Sequence, residues 1–130
     1  MEFKQFRKIL EQIIVKYSGM TLVEFMKTEE KTVKIEKEGF LTFTIEKCVD
    51  TLYIGYYREE NGDLISDPIF VFQLKNNFWF PVRLEQYIQD TEIGNFDATS
   101  KYYYYPKRFK SVKSFASQCS REWKEYYLAR

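Results

Sequence analysis

The stretch Ile69–Tyr87, IFVFQLKNNFWFPVRLEQY, decides the fold. Two runs that are apolar at nearly every position flank Asn76-Asn77, and asparagine tolerates the positive φ that a two-residue hairpin turn demands. If those two residues are the whole turn, Leu74 lies opposite Trp79, Gln73 opposite Phe80 and Phe72 opposite Pro81, followed by Val71 with Val82 and Ile69 with Leu84. Both faces of the hairpin are then apolar, and both need cover. Pro81 has no N–H to give to a ladder, so its strand is expected at an edge or bulged at that point.

Upstream, the same period of two continues. TVKIEK alternates Val33 and Ile35 with charged residues, FLTFTIEK alternates Leu41, Phe43 and Ile45 with polar ones, and TLYIGYYRE is apolar almost throughout. The short spacings between these runs favour antiparallel neighbours, because parallel pairs need long crossovers. At both chain ends the period becomes helical. Phe3, Phe6, Ile9, Leu10, Ile13, Ile14 and Tyr17 make one stripe, closed by Gly19, and Thr21 with Glu24 has the spacing of a capping box. After Pro106, Phe109, Val112, Phe115, Ala116, Cys119, Trp123, Tyr126 and Tyr127 make another. The expectation is an α+β fold: an antiparallel meander of about five strands, with amphipathic N- and C-terminal helices on one face. Residues 1–130 read as a single domain. The other face is left for residues 86–106, a partner or a second copy to cover.

Composition narrows the chemistry. There is no histidine, which removes His-assisted nucleophiles, His general bases and His-containing metal sites. Cys48 and Cys119 form no C-x-x-C pair and are too few for an all-thiolate zinc site, so they read as structural thiols. No catalytic motif is present, and no cofactor or metal is implied. Asp63 with Asp67, or Glu85 with Asp90, would be the carboxylate pairs for acid–base work, but spacing singles out neither. No apolar run is long enough for a membrane span and no signal peptide opens the chain, so the cytoplasm is the expected compartment.

Between two predicted strands lies Arg58–Pro68, REENGDLISDP. Asn61-Gly62 supplies tight-turn geometry, Asp63 and Asp67 are able to bond nearby amides, and Asp67 is driven to an extended conformation by Pro68. It reads first as a connector. Convergence of Glu59, Glu60, Asp63 and Asp67 on a cation is the rival, although the alternating ligands of an EF-hand loop are missing. A polar contact surface for a macromolecule is the third reading.

This stretch also carries a resemblance. GYYREENGDLISDPIFVFQL, with Pro81 beyond it, resembles a family of small uncharacterised bacterial domains often associated with plasmids and other mobile elements. The similarity runs from about Val33 to Gln86. It implies a fold and a context but no activity, cofactor or site residue.

Charge is unevenly placed: residues 1–100 carry 12 Lys+Arg and 17 Asp+Glu, and residues 101–130 carry 8 and 2, for a total of +1. The basic end opens with KYYYYPKRFK. Tyrosines beside cations are what a single-stranded nucleic-acid platform needs. Lys110, Lys113, Arg121 and Lys124 fall within about 80° on a helical projection, a stripe able to follow a phosphate backbone. The alternative is a solvated helix flank behind a strand that buries two of its four tyrosines.

With 19% aromatic residues and a two-sided apolar sheet, the chain reads as a non-catalytic protein-binding module whose partner is another protein or a second copy of itself. Tyr57, Asn61, Asp63, Asp67 and Trp79 are its candidate contacts. The nucleic-acid alternative uses Tyr102, Tyr104, Lys107, Arg108, Lys110, Lys113 and Arg121.

Overall fold

The computed structural model describes residues 3–87 and 89–129. Helix α1 (Lys4–Ser18) buries Phe6, Ile9, Leu10, Ile13 and Ile14 of the expected stripe, whereas Tyr17 at its end stays exposed. Helix α2 (Leu22–Met26) is held by the capping box: Glu24 N–H donates to Thr21 Oγ1 at 3.1 Å, and Thr21 N–H donates to Glu24 Oε1 at 2.9 Å. Six strands follow: β1 (Glu30–Ile35), β2 (Thr42–Cys48), β3 (Thr51–Glu60), β4 (Asp63–Lys75), β5 (Phe78–Glu85) and β6 (Asp90–Glu92). They pair antiparallel in sequence order, the meander that short connections dictate. The expected count of about five is extended by β6. A second, two-stranded sheet joins β7 (Gly94–Phe96) to β8 (Tyr102–Tyr104).

Pro106 opens helix α3 (Pro106–Trp123), where its missing N–H and fixed φ fit the first turn. A π-helical turn (Lys124–Leu128) follows α3. That wider turn lets Tyr127 reach the core while Tyr126 stays outside against Phe40, with ring centroids 4.9 Å apart.

Both terminal helices lie on one sheet face. Phe43, Ile45, Leu52, Ile54, Phe70 and Phe72 of the sheet share one buried cluster with the apolar stripes of α1 and α3. Trp123 sits among Phe43, Phe6 and Phe70, with centroids at 4.7, 5.5 and 6.0 Å. Lys47 also points inward, and its ammonium is satisfied by the carbonyl oxygens of Thr28 and Val49.

The central hairpin keeps the expected register only as far as its proline. Leu74/Trp79, Gln73/Phe80 and Phe72/Pro81 are opposite as expected, and Asn76 and Asn77 both have positive φ. Beyond Pro81 the ladder slips by one residue, so Val71 faces Arg83 and Ile69 faces Glu85, not Val82 and Leu84. A residue that cannot donate ends regular pairing, and the bulge absorbs Val82.

The opposite sheet face holds a smaller cluster, Ile69, Val71 and Val82, roofed by Tyr53 and Tyr57. Beside it the β7–β8 hairpin folds over β5: Phe80 meets Tyr102 and Phe96 at 4.8 and 5.2 Å, and Tyr102 donates its hydroxyl to the Pro81 carbonyl at 2.6 Å. Residues 94–104 therefore cover one end of that face. Of the four tyrosines Tyr102 to Tyr105 only Tyr102 is half-buried, fewer than the two the alternation suggests, because β8 lies at the margin of the sheet.

A second register shift lies between β3 and β4, after Gly55. Gly55 has φ 145°, and a Cβ there would stand 2.0 Å from the Pro68 carbonyl oxygen. Gly62 has φ 85° with open space around it. Gly55→Ala should therefore cost more than about 3 kcal/mol, through a backbone clash in the sheet centre. Gly62→Ala should cost only the left-handed penalty of about 1–2 kcal/mol. Urea melts of the two variants measure both, and equal small losses would contradict the close approach at Gly55.

Candidate functional site

The acidic connector is a turn. Asn61 (φ 56°) and Gly62 (φ 85°) are its two central residues, and Glu60 pairs with Asp63 across it. Arg58 organises its base: Nη1 lies 3.3 Å from Glu60 Oε2, Nε lies 3.6 Å from Asp67 Oδ2, and the guanidinium covers the Tyr87 ring at 4.4 Å. Tyr87 donates to Glu60 Oε1 at 2.9 Å, and that bond raises its phenol above the ordinary value. Asp67 thus turns back to Arg58, whereas Asn61 and Asp63 stand exposed at the tip. No group of three or more His, Cys, Asp or Glu able to hold a metal ion occurs among the described residues. The carboxylates are spread along a ribbon, not gathered round a point.

Next to this base lies the face carrying Tyr53 and Tyr57. Tyr57 is half-buried, and burial, with Glu46 and Glu85 nearby, pushes its phenol up to about 12. Glu85 accepts from Ser66 at 2.9 Å and pairs with Arg83, whose Nη2 is 2.9 Å away. Two rigid tyrosines, an Arg–Glu pair and a Ser–Glu bond therefore lie on adjoining strands. Glu85 and Asp90, considered above as an acid–base pair, do face each other across β5 and β6. Glu85 is nevertheless occupied by Arg83 and Ser66. Cys119 is buried, and burial pushes its thiol up to about 12, which makes it a poor nucleophile at neutral pH.

Trp79 does not join the exposed contacts. Only 3% of it is accessible, because its register with Leu74 places it on the helix side beside Phe72. The Arg7 guanidinium lies 5.0 Å above its ring, and Arg7 donates to the Asn77 carbonyl at 2.8 Å.

The basic segment divides around α3. Lys107 and Arg108 border a cavity of about 380 Å³ whose floor includes Leu84, Val112 and Phe115. Arg108 donates to the Glu92 carbonyl at 3.0 Å and covers the Tyr105 ring at 4.4 Å. Lys110, Lys113 and Arg121 line a separate groove farther round the helix. Tyr104 packs on Phe109 at 4.8 Å and remains half exposed.

Tyr53, Arg58, Arg83 and Tyr87 were not among the residues singled out from sequence. Period two places Arg58 and Glu60 on one side of β3, so that pair was legible. The meeting of Tyr87 with both was not, since it requires residues 27 apart to converge at the end of the sheet.

The buried phenols predict an alkaline transition. Tyr56, Tyr57, Tyr102 and Tyr127 are all raised, chiefly by burial, so the fold favours their neutral forms. The stability they contribute is whole below the ordinary value of 10.0 and is lost as pH climbs through Tyr57's value of about 12. Urea midpoints should fall across that window, and Tyr57→Phe should flatten the fall. Midpoints that stay level would show the phenols to be accessible.

Comparison with curated proteins and with solved structures gives no match. The profile of one family, described as a domain of unknown function (DUF6908), matches residues 7–125. A match running from within α1 to the π-helical turn takes in most of α1, all of α3 and every strand among the described residues, and the chain belongs to the DUF6908 family.

Proposed function

We propose that this chain is a non-catalytic protein-binding module, of the bacterial and mobile-element context that its sequence resemblance implies. Its partner docks on the sheet face that the helices leave uncovered. The observation that carries the reading is Tyr53 and Tyr57 lying over Ile69, Val71 and Val82, with Arg83 and Glu85 alongside. Tyrosine and arginine dominate the energetically decisive positions of protein interfaces, because they bury large area with few rotors and keep a polar end. Here strands hold them, so little conformational entropy is lost on docking.

Glu46 stands opposite Tyr53, Glu59 follows Tyr57 by two and Glu85 stands opposite Ile69, so these carboxylates share that face, which points to a partner with a basic patch. The chemistry of the chain favours recognition over catalysis: histidine is lacking and the Cys119 thiol is held neutral.

The test compares affinity capture from bacterial lysate by the wild-type chain and by Tyr53→Ser/Tyr57→Ser, alongside sedimentation velocity of both. A defined protein retained by the first and lost by the second supports the reading, as does a wild-type dimer that the double variant dissolves. Identical captures with a monomer in both cases would refute it.

A further inference from the structure

Charge in this molecule is sorted by layer. The segments Lys4–Ser18 and Pro106–Leu128 lie on the same sheet face and together hold ten cations against Glu11, Glu122 and Glu125. Their net +7 leaves −6 for the rest of a chain whose total is +1. Chain order alone hides this, because α1 precedes the acidic strands.

Within that layer, no carboxylate occurs from Pro106 to Arg121. One side of α3 carries a groove of about 530 Å³ lined by Lys110, Lys113, Ser114, Ser117, Gln118 and Arg121. Every one of those side chains offers a hydrogen-bond donor, and none is apolar or acidic. Such a lining fits phosphate oxygens and suits an apolar peptide anchor poorly. Lys110 to Arg121 spans about 16 Å of helix, enough for several consecutive phosphates.

Exposed rings stand at the N-terminal end of α3, the helix that carries the groove. Tyr103, Tyr104 and Tyr105 are 42, 51 and 39% accessible, and Tyr104 rests on Phe109, the residue before Lys110. Flat rings on the same helix as a cationic, carboxylate-free track are the requirements for binding a single strand, whose unpaired bases need a face to stack on. A duplex keeps its bases stacked on each other and would not use them. An anionic membrane is the other polyanion to consider. A surface helix inserts an apolar face, whereas the apolar stripes of α1 and α3 are already buried in the core.

We infer that the α3 face binds single-stranded nucleic acid, with phosphates on Lys110, Lys113 and Arg121 and a base on Tyr104. This surface is separate from the docking face proposed above and does not depend on it.

The experiment is fluorescence anisotropy of a labelled, mixed-sequence 15-nucleotide DNA strand titrated with the full chain. With these three cations engaged, affinity should fall about 20-fold between 50 and 200 mM salt. Lys110→Glu/Arg121→Glu, at two exposed positions, should abolish binding while leaving the circular dichroism spectrum and Tm unchanged. Tyr104→Ser should weaken the single strand about tenfold and leave any duplex binding unaltered. Tyr53→Ser/Tyr57→Ser should bind the strand as the wild type does. The inference is overturned by no binding at 50 mM salt, by affinity insensitive to salt, or by a charge-reversal variant that binds normally. It is also overturned if vesicles of phosphatidylserine and phosphatidylcholine are bound while the strand is not.

Discussion

Everything on this molecule's surface depends on how Trp123 closes α3 onto the sheet. Its indole meets Phe6 from α1, Phe43 from β2 and Phe70 from β4, so one side chain joins three elements distant in sequence. Tyr127 continues the contact, stacked on Phe43 at 5.0 Å with its hydroxyl 3.2 Å from that of Tyr56. Aromatic pairs add about 0.5–1.5 kcal/mol each beyond the area they bury. With several around one indole, the rotation of α3 is fixed. Once Phe109, Val112, Ala116 and Cys119 are turned inward, Lys110, Ser117 and Arg121 have only the outward side.

The consequence is a molecule with two unlike faces. The helical layer is cationic, and its apolar stripes are spent on the core. The sheet side is acidic and lined with tyrosine, and its buried cluster of Ile69, Val71 and Val82 is sealed by the chain's own rings. The two-sided apolar ribbon implied by the sequence is thus closed largely from within, partly by the β7–β8 hairpin against Phe80. Amphipathic rings with charged neighbours remain on that face, which suits reversible recognition better than an obligate apolar interface.

Where local chemistry decides structure, the sequence was readable. Asn76-Asn77 and Asn61-Gly62 form the turns their tolerance of positive φ allows, and Thr21 with Glu24 caps a helix only five residues long. The central hairpin was readable up to Pro81 and wrong by one residue beyond it. Of the edge and the bulge that Pro81 allows, the structure has the bulge, and its effect on pairing was not legible because the direction of a slip depends on the strands either side. Trp79 shows the same limit. Its alternation was clear, yet with apolar residues on both faces nothing in the sequence said which face the helices would take.

By itself, then, the sequence determined the meander, the two amphipathic helices, the turns and the exclusion of histidine chemistry, since each follows from residue type at a spacing of two or of three and four. It also showed a basic C-terminal end and an acidic remainder. Tertiary structure alone decided that α1 adds its cations to those of α3, that Arg58, Glu60 and Tyr87 meet, and that Tyr53 and Tyr57 roof a strip of aliphatics. These depend on which face of a symmetrically greasy sheet receives the helices, a choice made by the summed packing of the whole core and carried by no single stretch of chain.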